Sequence, residues 1–189
     1  MSGKVILLNG ASSSGKSTLA RGLQAGLDRP FWHYSIDHLK DAHVLPETRI
    51  GSGEFPWSSL RQNFFEGFHR SLPALADAGN NLIIEHIIET DAWMRRLVHL
   101  LAHVDVFFVG VHCPLPELRR RELERANRRI GEAQADYEIT HTFGNYDFEV
   151  DSTQSPDRNV AAVIAAWNER RRPSAFEIAH AKTRAETAA

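Results

Sequence analysis

The residues whose types and spacing point to chemistry begin at Gly10. The run Gly10-Ala11-Ser12-Ser13-Ser14-Gly15-Lys16-Ser17 reads G-x-x-x-x-G-K-[ST], with the apolar Val5 to Leu8 before it and the helix-favouring Thr18-Leu19-Ala20 after it. A strand before and a helix after is the context this phosphate-binding loop, or P-loop, requires. Its glycines open backbone angles closed to other residues and leave room for a phosphate, so successive N–H groups of residues 10–18 point into one nest. The nest lies at a helix N-terminus, where unpaired N–H groups and the helix dipole both favour an anion. Lys16 then reaches the β- and γ-phosphates of a nucleotide such as ATP, and the Ser17 hydroxyl ligates the bridging magnesium ion. Thr18 continues the helix and need not touch the metal.

Three further groups could act on a bound nucleotide. Asp37 ends the second apolar run, Phe31 to Ile36. A carboxylate there accepts the proton of an attacking hydroxyl or helps hold magnesium, or else only caps the helix that follows. Glu85 ends the third run and is placed either to hold a magnesium-bound water or to lie buried beside His86. The stretch LRRRELERANRR carries six arginines, with Arg121, Arg125 and Arg128 at i, i+4 and i+7 on one helical face. Guanidinium forks suit phosphate, so this helix reads either as a mobile lid hinged at Gly131 or as a solvated face salted with glutamates.

The elements that must position these groups alternate. Helices are expected at Lys16 to Leu27, His38 to His43, Ser58 to Ala78, Thr90 to Ala102, Pro114 to Arg129, Glu132 to His141 and Ser155 to Arg171. Strands are expected at Val5 to Leu8, Phe31 to Ile36, Asn81 to Ile88, Val104 to His112 and Tyr146 to Asp151. Prolines and glycines mark Val44 to Trp57 as an irregular loop and a candidate for substrate contact. Residues 173–189 are Ala-rich and weakly patterned, which reads as a loosely held tail after a domain spanning 1–172, with the lid at roughly 115–145. Such alternation implies an α/β fold: a mostly parallel five-stranded sheet with helices on both faces and ligands at the carboxyl ends of the strands.

At 189 residues the chain is long enough to bury roughly 70% of its unfolded surface in one core. Its 42% hydrophobic and 24% charged residues are ordinary for a soluble protein, and a net charge of -2 gives no general attraction to nucleic acid or anionic membrane. No run approaches the ~20 apolar residues of a membrane span, and the opening apolar run is needed as a strand rather than a signal peptide. The single cysteine, Cys113, excludes an internal disulfide and suits a reducing cytoplasm. A homo-oligomer is compatible with all of this.

The blocks ILLNGASSSGKST, IDHL, VGVHC, RELERANR and YDFEVDST together resemble the chloramphenicol phosphotransferase-like family of P-loop kinases, from the N-terminus to about Trp167. The resemblance implies transfer of the γ-phosphate of ATP to a hydroxyl of a small molecule, with chloramphenicol as the family's acceptor. It implies Asp37 as general base, Lys16 and Ser17 on phosphates and magnesium, and Arg125 and Arg128 of the lid near the phosphates. Two segments depart from the family's pattern: Leu39 to Trp57, where the acceptor pocket belongs, and Glu85-His86, where an acidic pair is expected. Three functions therefore stay open: an antibiotic-inactivating O-phosphotransferase, a metabolic kinase of a nucleoside, nucleotide or sugar acid, and a nucleotide-dependent regulatory module. A nucleotide acceptor would want cations near Arg49, Arg61 or Arg70, whereas chloramphenicol would want an apolar wall of Phe55, Trp57 and Phe64.

Overall fold

The computed structural model describes residues 2–125 and 131–188. They build a five-stranded, wholly parallel sheet whose strands lie from edge to edge in the order Phe31–Ser35, Asn81–His86, Lys4–Asn9, Asp105–His112 and Phe148–Asp151. The strands are β1 (Lys4–Asn9), β2 (Phe31–Ser35), β3 (Asn81–His86), β4 (Asp105–His112) and β5 (Phe148–Asp151). The helices are α1 (Lys16–Gly26), α2 (Ile36–Asp41), α3 (Glu47–Gly51), α4 (Trp57–Asp77), α5 (Asp91–Leu100), α6 (Leu115–Arg125), α7 (Glu132–Ile139), α8 (Pro156–Glu169) and α9 (Ala175–Ala188).

Unbroken apolar strands are what a sheet covered on both faces demands, since alternate side chains enter opposite layers. Val5 and Leu7 of β1 join Phe68 and Leu72 of α4, Leu97 of α5 and Phe176 of α9. Ile6 and Leu8 enter the opposite layer with Leu19 and Leu23 of α1 and Val163 and Trp167 of α8. Central β1 is therefore gripped from both sides, and its carboxyl end holds the P-loop where the chain departs to either side of the sheet.

Helix starts follow their side-chain caps. Thr90 accepts a hydrogen bond from the Trp93 N–H (3.1 Å) and Ser155 one from the Arg158 N–H (3.3 Å), as expected for α5 and α8. At the second strand Ser35, not Asp37, is the cap: its Oγ accepts from the His38 N–H at 3.3 Å, so the strand stops at Ser35 and Asp37 sits in the first turn of α2. The expected irregular loop contains the short helix α3, and Trp57 opens α4, which runs through Pro73.

The expected loose tail is instead helix α9. Phe176 is buried against Phe108, with ring centroids 5.3 Å apart. The Asp147 carboxylate, raised above its ordinary range by burial, accepts the Ala175 N–H at 2.7 Å and the Phe108 N–H at 2.8 Å. One aromatic anchor and one carboxylate clamp hold a segment whose alanines give almost no periodic signal. Among the described residues no helix is long and apolar enough to cross a membrane.

Candidate active site

The P-loop is shaped for an anion. Gly15 adopts a left-handed φ of 96° as the N-cap of α1 and supplies no side-chain cap, which leaves the first N–H groups of that helix for a ligand. A side chain at Gly10 would place Cβ 2.6 Å from the Val111 carbonyl oxygen and 2.7 Å from Ser14 Oγ. Ser13 also holds a positive φ of 64°, a conformation uncommon outside glycine and enriched at binding sites. The hydroxyls of Ser12, Ser13 and Ser14 are buried with no hydrogen-bond partner among the described residues. Buried hydroxyls are normally paired, so three in one loop mark a place where a polar ligand completes the bonding. Lys16 is buried, its ammonium donating to the carbonyls of Gly10 (2.7 Å) and Ala11 (2.8 Å), while Thr18 is exposed.

Ser17 and Glu85 are in direct contact. Ser17 Oγ donates to Glu85 Oε2 at 2.8 Å, and the other carboxylate oxygen pairs with His33 Nε2 of β2. Burial works to raise the Glu85 pKa, but the His33 hydrogen bond, the Lys16 charge and the Ser17 hydroxyl together hold it below its ordinary value. The carboxylate thus remains charged beside the last residue of the motif. His86, the next residue, is wholly buried and shares a 2.8 Å hydrogen bond with His69 of α4.

A cavity of about 350 Å³ brings Lys16, Ser17, Asp37 and Glu85 together, with Trp57, Arg61 and Phe65 of α4 as its far wall. Asp37 is partly exposed there, with Lys40 Nζ 3.5 Å from its Oδ1. Arg61 donates to both oxygens of Glu89 (2.7 and 2.6 Å), and its guanidinium lies over Phe65 (4.8 Å) and Trp93 (5.0 Å). The aromatic wall is therefore Trp57 and Phe65; Phe64 packs edge-on against Trp57, and Phe55 lies under Arg49 away from the cavity. Arg49 pairs with Glu54 and Arg70 with Glu66, and neither lines the cavity.

A second cavity of about 490 Å³ lies across the P-loop, lined by Ser13, Gly15, Thr18, Arg121, Ser152 and Asn159 among others. Arg121 bridges its walls: it donates to the Ser152 carbonyl (2.9 Å), Ser152 Oγ (3.2 Å) and the Ser14 carbonyl (3.4 Å), and pairs with Glu117 at 2.7 Å. Ser13 and Gly15 line both cavities, so the anion nest is the wall they share. A larger cavity, about 660 Å³, lies between α5, α9 and the end of α8 without any P-loop residue, and size alone does not make it the reacting centre.

The helices of the expected lid are present. Arg125 is the last residue of α6, its side chain outside the described residues, and Arg128 lies outside them altogether. Glu122 is buried and accepts the N–H groups of Gly131 and Ala133 (both 2.9 Å), bonds that hold its pKa below the ordinary value and cap α7. His141 and Tyr146, just beyond, hydrogen-bond each other at 2.7 Å; burial and the neighbouring His112 and Lys16 charges lower the histidine to about 4, and burial raises the tyrosine to about 12. Among residues that sequence reasoning did not single out for the site, Asp136 of α7 accepts the Ser12 N–H at 2.9 Å, and His33 supports Glu85. Arg121 was visible only as a member of the arginine face.

The family model described as chloramphenicol phosphotransferase-like protein matches residues 3–169. Two Mycobacterium tuberculosis proteins, provisionally named O-phosphotransferases, are each 31% identical over 178 residues, covering 84% of this chain and 79% of theirs. Among solved structures, the fold is similar to M. tuberculosis APS kinase in complex with AMPPNP and APS (TM-score 0.66, 22% identity, 88% of this chain and 98% of that one). It is also similar to a Janibacter sugar kinase (TM-score 0.65, 18% identity, 88% and 95%) and to Aquifex aeolicus shikimate kinase (TM-score 0.55, 16% identity, 87% and 96%). With its nucleotide-binding P-loop at the end of β1, the chain belongs to the chloramphenicol phosphotransferase-like family and is a phosphotransferase.

Proposed function

We propose that this enzyme moves the γ-phosphate of ATP, with magnesium, to a hydroxyl of a small uncharged acceptor of the chloramphenicol kind. The observation that carries the reading is the single cavity that joins Asp37 to Lys16, Ser17 and Glu85 on one side and to an aromatic wall on the other. The buried hydroxyls of Ser12, Ser13 and Ser14, without a partner among the described residues, and the start of α1 fit a polyphosphate. The nucleoside belongs in the cavity across the P-loop, beside Arg121 and Ser152.

Each residue then has a defined task. Lys16 exchanges its carbonyl partners for phosphate oxygens, and the N–H groups of residues 10–18 hold the anion. Ser17, whose hydroxyl lies on Glu85, would hold magnesium directly, and the ionised Glu85 would support it from behind that hydroxyl. Magnesium, when bound, supplies charge neutralisation across the phosphates. Asp37 accepts the proton of the acceptor hydroxyl as that oxygen attacks, and Arg125 and Arg128 stabilise charge on the transferred group.

The charge of the wall supports an uncharged acceptor over a sugar acid or nucleotide. Arg61 is held by Glu89, and Lys40 faces Asp37, so these cations already have carboxylates. Inactivation of an antibiotic in the cytoplasm follows if chloramphenicol is that acceptor. The test is incubation with ATP, magnesium and a pool containing chloramphenicol, nucleosides, nucleoside monophosphates and sugar acids, read by mass spectrometry. A phosphorylated uncharged acceptor is expected. Preference for an anionic acceptor would contradict the assignment, and nucleotide binding without any product, together with a copurifying protein, would favour a regulatory module.

A further inference from the structure

Helix α7 lies over the P-loop and is tied down at three places. Glu122 caps its N-terminus through the N–H groups of Gly131 and Ala133. Asn9 holds the residue after its C-terminus: Nδ2 donates to the Thr140 carbonyl at 2.8 Å, while Oδ1 accepts the Ile88 N–H at 2.9 Å. Between these anchors, Asp136 Oδ2 accepts the Ser12 N–H at 2.9 Å.

The third tie differs in kind. Glu122 and Asn9 bond to backbone outside the nest, so a polyphosphate seated on residues 12–17 leaves both intact. Asp136 instead puts a carboxylate on an N–H of the nest, in the same cavity as Lys16, Ser17 and Asp37. That N–H and the positive end of α1 favour one anion, and a terminal phosphate arriving beside a carboxylate meets like charge in a partly buried place.

We propose that Asp136 is a built-in competitor for the terminal phosphate, a specificity-determining carboxylate that weakens triphosphate binding relative to diphosphate. Entry of ATP lifts Asp136 from Ser12, and α7 swings about its anchors at Glu122 and Asn9 to admit the γ-phosphate and the acceptor. Departure of the phosphorylated product lets Asp136 return. The proposal rests on the reading of this cavity as the phosphoryl-transfer site.

Calorimetric titration with magnesium-ATP and magnesium-ADP tests it on the full chain and on Asp136→Asn, whose amide oxygen still accepts the Ser12 N–H. ATP is expected to bind about five- to tenfold more tightly to the variant, and ADP to change by less than about twofold. Asp136→Ala, checked for folding by its thermal transition, is expected to tighten ATP at least as much. Unchanged or weaker ATP binding in Asp136→Asn, or equal tightening for both nucleotides, overturns the proposal. A rise in acceptor KM with ATP affinity unchanged would also overturn it by making Asp136 an acceptor contact. If the unmodified protein binds neither nucleotide, the phosphotransfer reading itself fails, and the proposal with it.

Discussion

Ser17 Oγ donates a 2.8 Å hydrogen bond to Glu85 Oε2, joining the last residue of the P-loop motif to the carboxylate that ends the neighbouring strand. Parallel pairing of β1 with β3 sets Leu8 opposite Glu85 and Asn9 opposite His86, so Glu85 is delivered beside the loop by backbone register. His33, from the next strand outward, keeps it ionised. Glu85→Gln retains the shape and removes the charge. The magnesium concentration for half-maximal activity is expected to rise roughly 10- to 100-fold, the usual effect of losing a carboxylate that orients a metal's ligands. An unchanged magnesium titration would remove Glu85 from the metal's surroundings.

Lys16 spans from α1 back to the carbonyls of Gly10 and Ala11, so its ammonium already lies inside the loop it serves. Lys16→Ala should lower kcat/KM for ATP by roughly 10²-fold or more, as expected for loss of a preorganised charge on the transferred phosphate. Steady-state kinetics at saturating acceptor would reveal it, and a variant with normal kinetics would undo the phosphate-loop argument.

The buried pair His69 and His86 makes acid stability a readout of the wall behind the site. Burial, opposed by the Glu66 charge and aided by that of Arg96, lowers His69 to about 4, and burial lowers His86 well below its ordinary value. The unfolded chain takes up these protons below about pH 6.5, whereas folded His69 does so only near 4. Their contribution is therefore complete above pH 6.5 and is lost as pH falls toward 4, by about 3 kcal/mol for His69 alone. Urea unfolding at several pH values measures this, and His69→Gln should flatten the profile. A wild-type stability that stays level from pH 6.5 to 4.5 would contradict the buried neutral pair.

Helix α9 belongs to the core, because Phe176 is packed with Phe108 and the α5 side chains. Phe176→Ala is expected to destabilise the protein by about 3–5 kcal/mol in urea unfolding, the usual cost of truncating a buried aromatic. A loss under about 1 kcal/mol would mean that the segment is dispensable.

Much of this was written locally in the chain. The P-loop is legible because the glycines, lysine and serine of Gly10 to Ser17 answer local geometric needs, and the inner strands β1, β3 and β4 are legible because cover on both faces requires near-continuous apolar runs. The reach of Asp37 into the P-loop cavity follows from strand order in a parallel sheet. What escaped is tertiary: the Ser12 and Asp136 contact joins residues 124 apart, and the His33 and Glu85 pair joins residues 52 apart. Neither leaves a periodic trace. Arg61, one of three cations that a nucleotide acceptor would want, is paired with Glu89, a partner 28 residues away that no local pattern announces, and α9 reads as loose because its alanines hide the one aromatic that anchors it.

The central claim, transfer to a hydroxyl with Asp37 as its base, is tested most directly with ATP labelled at the γ-phosphate. The label should appear in an ester of the acceptor with the wild-type protein. Asp37→Asn should bind ATP with nearly normal affinity and form that ester roughly 10²–10⁴-fold more slowly. Equal rates in the two proteins, or bound ATP whose label reaches no hydroxyl compound in the panel, would contradict the account.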